Sequence, residues 1–447
     1  MAGQYLATAA GPIAPIGAHQ LLVFLLQIGL LLGLALALGR LAAGMSMPAV
    51  VGELAAGVLL GPSLLGHVAP GLSGWLLPRQ PEQLHMLDAV GQLGVLLLVG
   101  VTGMHIDLGL VRRKGATAAW VSAGGLLVPL GLGVGWGFLL PGSLVPDGAE
   151  RPVLALFLGV AMAVSAIPVI AKILLELRLL HRDIGQLVIC AAAVDDVVGW
   201  FLLSVASAMA TVGVHTRRLA ESVAALLAAV VFVVVVGRPA ARGMLRLAAR
   251  SGEPGAGIAA AVVLLVLLGA GTQALGMEAI LGTFLGGIVI GSSGQFDAAR
   301  LAPLRTFVIW VLAPIFFATA GLRMDLTALS RPAVLGVAIV MLLTAVVGKF
   351  AGAYAGARAA RLDHWEGLAL GAGLNARGVI EVIVAIVGLR LGVLSPELFT
   401  IIVLVAIATS LMAPPSLRFA IRRIPVTTEE RHRERVFHAG PASGGGR

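Results

Sequence analysis

Apolar runs of membrane-crossing length recur from about residue 20 to about residue 414, and they exclude a water-soluble globular fold before any motif is read. They fall near 20–42, 47–66, 86–106, 115–139, 152–177, 184–212, 219–237, 255–275, 277–292, 303–322, 332–357, 365–389 and 397–414. The expected fold class is an all-α polytopic membrane protein with about 13 transmembrane helices. The chain is 59% hydrophobic and only 12% charged, whereas a soluble domain carries about 25% charged residues. In such a chain the formal charge of +9 reports orientation and contact with membrane lipid headgroups, and no nucleic-acid partner is expected. Cys190 is the single cysteine and sits in an apolar run, so no intrachain disulfide forms.

Loop charges orient the spans. Arg40, the Arg112–Arg113–Lys114 cluster, Arg178 with Arg182, Arg238 to Arg250, Arg300 with Arg305, Arg358 with Arg361, and Arg418 to Arg423 fall in alternate loops. The remaining loops hold fewer cations. The positive-inside rule then places the N-terminus outside and the C-terminus in the cytoplasm of a plasma-membrane protein, which an odd span count allows. Residues 1–19 lack a basic leader and read as an extracytoplasmic N-terminal segment. Residues 416–447 read as a cytoplasmic, disordered tail, and no soluble domain is expected beyond the exchanger domain at 20–415.

The chain repeats itself. AVVGELAAGVLLGPS at 49–63 aligns without gaps to AILGTFLGGIVIGSS at 279–293, so that Gly52, Gly57 and Gly61 match Gly282, Gly287 and Gly291. GVTGMHIDL at 100–108 resembles ATAGLRMDL at 318–326. The matches join the second span to the ninth and the third to the tenth. An odd offset reverses direction across the membrane, so the expectation is a six-plus-six inverted repeat: repeat one about 20–212, a linker helix about 219–237, repeat two about 255–414. Secondary transporters are built this way, with broken helices at equivalent positions around the transport site. The fifth and twelfth spans are equivalent. One carries SAIPV with Pro168, and the other GAGLNARG with Asn375, Arg377 and Gly378. Proline removes a backbone donor, and both segments can unwind at mid-membrane and cross. GAGLNA also fits a loose dinucleotide-binding pattern, but no strand precedes it and the nucleotide reading is rejected.

AAAVDDVVGW at 191–200 places Asp195 and Asp196 side by side in an apolar span, where each carboxylate costs roughly 2.5–3.5 kcal/mol to insert. They point about 100° apart on a helix, so they face different surroundings. Lys349, in the eleventh span, is the natural counter-charge. A buried aspartate that titrates can hold a proton or a metal cation in turn, and this exclusive occupancy is the chemistry of an antiporter. Ser165, beside the proline break, supplies a hydroxyl. Arg377 and Glu381 stand four apart and are expected to neutralise each other and brace the second break. Glu53 is read as an entrance residue or a partner of a backbone end, and His105 with Asp107 as interfacial.

The chain resembles the monovalent cation:proton antiporter-2 family, of sodium/hydrogen-exchanger fold. The resemblance rests on PAVVGELAAGVLLGPSLLG (48–66), SAIPVIAKIL (165–174), AAAVDDVVGW (191–200), APIFFATAGLRMDL (313–326) and GLNARGVIEVIVAIVGLRLGVLSPELF (373–399). It implies a homodimer with a dimerisation domain, a mobile core and elevator-like alternating access. It implies Asp196 as the ion- and proton-binding carboxylate, the site of the monovalent cation, and Asp195 as the partner of Lys349. Its paired aspartates resemble those of electrogenic members, which exchange Na⁺ foremost, with K⁺/H⁺ exchange or efflux as the alternative. No cofactor is implied, because the transported Na⁺ or K⁺ and H⁺ are substrates. No nucleotide-binding domain is expected. Gly103–Met104–His105 and Arg390 depart from the family pattern at span ends. An intramembrane aspartyl protease needs its aspartates on different helices, which adjacent residues cannot provide. A cation-coupled symporter could share the broken helices, but the core lysine favours exchange.

Overall fold

The computed structural model describes residues 16–431 apart from 46, 79–80, 107, 214–223, 225–226, 229, 252 and 294–297. Among the described residues the chain is helical and has no β-strand. We number the helices α1 (Ala18–Gly44), α2 (Ala49–Leu60), α3 (Pro81–Met104), α4 (Leu108–Leu139), α5 (Arg151–Ala163), α6 (Ile167–Glu176), α7 (Asp183–Val212), α8 (Arg238–Arg250), α9 (Pro254–Ala274), α10 (Ala279–Gly291), α11 (Arg300–Gly321), α12 (Pro332–Ala359), α13 (His364–Leu374), α14 (Val379–Arg390) and α15 (Pro396–Ile421). Among the described residues ten helical stretches are long and apolar enough to cross a membrane, and the bent pair α13–α14 makes an eleventh. The shorter apolar α10 stands where a further span is expected. The expected linker, 219–237, lies largely outside the described residues.

The amphipathic signal in these helices is positional. On α1 the buried residues are Val23, Gln27, Leu31, Ala35, Gly39 and Ala42, a stripe with helical spacing. Leu22, Leu25 and Leu30 point outward, where only lipid or another apolar surface can cover them. Two helices widen into a π turn, Val233–Gly237 and Val308–Leu312. Each π turn ends just before a proline, Pro239 or Pro314. A proline ring clashes with the carbonyl of the preceding turn, and a wider turn relieves that clash.

The repeat glycines explain how the halves join. A Cβ on Gly57 would stand 1.9 Å from the Ala318 carbonyl, and one on Gly321 only 3.0 Å from the Cα of Gly57. In the same way Gly287 lies against the Gly100 carbonyl and the Cα of Gly103. Gly57 and Gly287 are repeat partners, as are Gly103 and Gly321. Thus α2 packs on α11 as α10 packs on α3, and the exchange of partners is what a two-fold relation between the halves produces. Gly52 against the Leu38 carbonyl and Gly282 against the Leu268 carbonyl repeat the pattern within each half. Further in, α4 and α12 meet each other at Gly124 and Gly352. These contacts need bare backbone, so Gly287→Val forces α3 from α10. Overpacking of this kind costs about 1–3 kcal/mol or more. Thermal melts in detergent should show a clear fall for Gly287→Val and almost none for Gly336→Val, where nothing lies within 4 Å of the new Cβ. Equal melts would remove the close contact as the device that joins the halves.

The most extensive helix contacts fall into two sets. One joins α1, α2, α3, α9, α10 and α11; the other joins α4, α5, α7, α12, α13, α14 and α15. Between the sets the contacts are sparse, chiefly α7 with α10 and α11 with α14.

The connections gather on two faces. Lys114 meets Asp183 at 3.0 Å on one face, the face of the arginine-rich loops. On the opposite face Arg331 meets Glu397 at 2.8 Å, and Ser63 binds the Met324 carbonyl at 2.9 Å. There Arg390, one of the departures from the family pattern, pairs with Glu278 at 2.8 Å.

The chain after α15 is placed differently from the sequence expectation. Helix α15 runs past 415 to Ile421, and the following segment is docked as far as the described residues extend. Arg182 donates to the carbonyls of Ile424 and Pro425 at 3.1 and 3.2 Å and pairs with Glu430 at 3.1 Å. Glu430 also accepts the Asp183 amide at 2.8 Å, which satisfies a free N–H in the first turn of α7. Burial pushes the Glu430 carboxyl up, but the amides of Thr427 and Asp183 and the Arg182 guanidinium outweigh it and hold it below the usual range. A tail disordered from 416 is therefore corrected up to Arg431, and 432–447 lie outside the described residues.

Candidate ion-binding site

Two broken helices form the centre. Helix α5 ends at Ala163, Val164 to Ala166 are extended, and α6 restarts at Ile167. Pro168 falls in the first turn of α6, where its missing N–H costs nothing, so it opens a half-helix and does not kink a continuous one. Helix α13 ends at Leu374, Asn375 to Gly378 are irregular, and α14 follows at a bend of 46°. The breaks cross: the Ala166 amide donates to the Ala376 carbonyl at 3.1 Å. A Cβ on Gly378 would stand 2.8 Å from Val169 of α6, which is why this crossing point has no side chain.

A broken helix leaves unpaired carbonyls at one end and amides at the other. The carbonyl end of α5 collects cations. Arg377 donates to Ala161 at 2.7 Å and to the Met162 carbonyl, and Lys349 donates to Ala163 at 2.5 Å. The amide end of α14 takes an anion: Glu381 accepts the Gly378 amide at 2.7 Å. Charges of these signs at these ends oppose the helix dipoles. Arg377 and Glu381 make no direct ion pair among the described residues, but each is the leading charge acting on the other, as the expected neutralisation asks. The helix breaks between them, and each serves a different half-helix end. At the other carbonyl end, the Leu374 oxygen lies 2.9 Å from the Ser165 hydroxyl.

The two aspartates sit on α7 in different surroundings. Asp195 is fully buried and saturated with donors. Its Oδ1 accepts from Ser122 of α4 at 2.6 Å, and its Oδ2 accepts from Lys349 of α12 at 2.8 Å. The Ser165 hydroxyl also lies 2.8 Å from Oδ2, and its one proton serves either this oxygen or Leu374. Asp196 is only 1% exposed, yet neither carboxylate oxygen makes a hydrogen bond among the described residues. The Ile167 amide, at the start of α6, and the charges of Asp195, Glu381 and Lys349 are the groups that act on it. Asn375, fully buried in the second break, likewise has both side-chain polar atoms without a hydrogen-bond partner. Buried polar atoms are nearly always partnered, so two such groups at one crossing set it apart from most of the core.

Other expected residues lie apart. Glu53 is buried on α2 beside Gly39 of α1, and the charge that acts on it is Lys172 of α6. His105 is exposed, with Nδ1 2.7 Å from the Val101 carbonyl; Asp107 lies outside the described residues. A cleft of about 1090 Å³ opens between the α2–α3 connection and α11, lined by His67, Ser73, His85, Asp88 and Arg323, and it includes no residue of α7. Beside the crossing lies a cavity of about 10 Å³, between Val50, Leu54, Val169, Gly378 and Ser410, and Asp196 itself is 1% exposed. The cavity has the space of about one water molecule, so the site is closed here.

Sequence reading missed Ser122 and Ser410, whose hydroxyl donates to the Arg377 carbonyl and holds the second break. Ser122 had a signal. It lies two residues before Gly124, and Lys349 lies three before Gly352, the glycine that Gly124 meets in the repeat-related helix.

Paired broken helices, a buried ion pair and an unpartnered carboxylate define a secondary transporter of antiporter architecture. The model of the sodium/hydrogen exchanger transmembrane domain matches residues 21–423, and the chain belongs to that family, whose members are antiporters. It is 33% identical to the Na⁺/H⁺ antiporter NhaS4 of Synechocystis over 403 residues, covering 89% of this chain and 97% of that one. It is 31% identical to cation/H⁺ antiporter 17 of Arabidopsis thaliana over 89% of this chain, but spans only 48% of that longer protein. The K⁺/H⁺ antiporter 1 of Saccharomyces cerevisiae is 26% identical over 86% of this chain and 46% of its own length. In structure the chain is similar to the sodium proton antiporter MjNhaP1 of Methanocaldococcus jannaschii, with a TM-score of 0.66 at 16% identity, covering 90% of this chain and 99% of that one.

Proposed function

We infer that this protein exchanges a monovalent cation, Na⁺ foremost, for protons, with Asp196 as the site they share. One observation carries the reading: Asp196 is a buried carboxylate with no hydrogen-bond partner, at the crossing of two broken helices. A carboxylate in that position neutralises itself with a proton or a cation, and the two exclude each other. Ser165 and the unwound carbonyls offer the oxygen ligands that Na⁺ takes. Similarity to a Na⁺/H⁺ antiporter over 97% of its length supports Na⁺; the yeast K⁺/H⁺ relative supports K⁺ as the second substrate to test.

The closed site must open to each side in turn. The sparse seam between the two helix sets supports a core of α4–α7 and α12–α15 that moves against the remaining helices. The arginine-rich loops orient the chain with its C-terminus in the cytoplasm of the plasma membrane. The family resemblance supports a homodimer through the other helix set, that of α1–α3 and α9–α11. It also supports electrogenic exchange, in which the Asp195–Lys349 pair supplies a proton beyond the one on Asp196.

The test uses proteoliposomes with an acidic lumen and a pH-sensitive dye. Added Na⁺ should dissipate the gradient, K⁺ less so, and the rate should change when membrane potential is clamped to different values. No response to Na⁺, K⁺ or Li⁺ would overturn the reading. A response blind to potential would leave antiport standing and remove electrogenicity.

A further inference from the structure

Helix α7 carries more unpartnered polar groups than Asp196. Trp200 Nε1, Ser204 Oγ and Ser207 Oγ are buried and make no hydrogen bond among the described residues. The three residues are 2%, 1% and 3% exposed. With Asp196 they follow at intervals of four, four and three along the helix, within about 80° of arc and over about 16 Å of rise. The row starts at the crossing and runs toward the end of α7 away from the arginine-rich loops.

Helical hydroxyls elsewhere in this chain behave differently. Thr102, Thr211, Thr319, Thr409 and Ser416 each fold back onto a carbonyl one turn earlier, at 2.8–3.1 Å. That local bond is the default for a hydroxyl in an apolar helix. Ser204 and Ser207 do not make it. The Trp136 indole donates to Thr344 at 3.0 Å, whereas the Trp200 indole has no acceptor among the described residues. These groups, one donor and two hydroxyls that both donate and accept, match water as a ligand.

The row also lies on the seam. Trp200 packs against Phe284 of α10, with ring centroids 6.0 Å apart, and α10 with α7 is one of the few contacts between the two helix sets. Helix α10 carries no charged side chain, and its Thr283 hydroxyl is bound to the Ile280 carbonyl. The polarity of this part of the seam comes from α7.

We propose that Trp200, Ser204 and Ser207 line the route by which water and protons reach Asp196 from the face opposite the arginine-rich loops. The route is shut in the conformation described and opens as α7 moves against α10. It rests on the antiport reading, but its test has its own readout.

In a Cys190→Ser background, which removes the single cysteine, Ser204→Cys, Ser207→Cys and Met209→Cys are made singly. Met209 lies on the opposite side of α7, about 3 Å nearer than Ser207 to the labelled face and among the apolar core residues, so depth alone favours its labelling. A membrane-impermeant methanethiosulfonate is applied from the side opposite the arginine-rich loops during Na⁺-driven turnover. Cysteines at 204 and 207 should react at least about tenfold faster than the one at 209. In Ser204→Val/Ser207→Val, maximal exchange should fall about tenfold while the Na⁺ concentration at half-rate stays unchanged. Equal labelling at all three positions, or normal exchange in the double valine variant, overturns the route. If the cysteines label as expected but Asp196→Asn still exchanges, the route stands and the role of Asp196 falls. If Asp196→Asn is inactive and 204 and 207 label no faster than 209, the route falls alone.

Discussion

Asp196→Asn brings Na⁺-driven proton movement down to the rate of empty liposomes while the protein stays folded. Asparagine matches aspartate in shape but neither ionises nor surrenders a proton to an arriving cation. The structure separates this loss from damage. Asp196 makes no hydrogen bond of good geometry, and the one backbone donor that acts on it, the Ile167 amide, can be met by the asparagine carbonyl, so no partner is orphaned. Removing a buried charge also removes its insertion cost, roughly 2.5–3.5 kcal/mol at mid-membrane. The melt in detergent should therefore match or exceed that of the parent protein. The same change next door behaves oppositely: Asp195→Asn weakens contacts to Ser122 and Lys349 and lowers the melting temperature. Residual exchange by a folded Asp196→Asn variant would show that proton and cation do not share this carboxylate.

Much of this arrangement was legible in the chain. Glycine spacing in 49–63 and 279–293 announced the repeat, because backbone contact admits only glycine, and the structure uses those glycines to join α2 to α11 and α10 to α3. The first break was legible because a mid-span proline removes a helix hydrogen bond, although Pro129, Pro414 and Pro415 stand inside α4 and α15 without ending them. What was hidden depends on contacts between distant elements. Arg377 and Glu381 read as a pair at helical spacing, but the break at 375–378 lets each answer a different helix dipole. Ser122 and Ser410 look like ordinary hydroxyls in Ala- and Gly-rich helices. Only the fold brings one to Asp195 and the other to the Arg377 carbonyl. The docked segment after α15 escaped because its composition is polar. Its order comes from Arg182 and the free amides of α7, about 240 residues earlier in the chain.

The Asp195–Lys349 pair gives the second large effect, and its form is a cycle. Both side chains are fully buried, and the ammonium also caps the Ala163 carbonyl. Lys349→Met leaves Asp195 held by hydroxyls alone and withdraws one of the two cations at the end of α5. Breaking a buried pair from one side costs about 3–5 kcal/mol, whereas replacing both partners by groups of similar volume is often nearly neutral. Lys349→Met should thus melt far below the parent, and Asp195→Asn/Lys349→Met should recover most of the loss, with Arg377 still covering Ala161 and Met162. The double variant also separates the two jobs of the aspartates. Asp196 is untouched, so Na⁺ should still drive proton movement, but the proton assigned to the pair is gone and exchange should no longer respond to membrane potential. Additive losses in the cycle would mean that the 2.8 Å contact carries no coupling. Unchanged voltage dependence in the double variant would place the extra proton elsewhere, and Glu53 with its neighbouring Lys172 charge would be the next pair to examine.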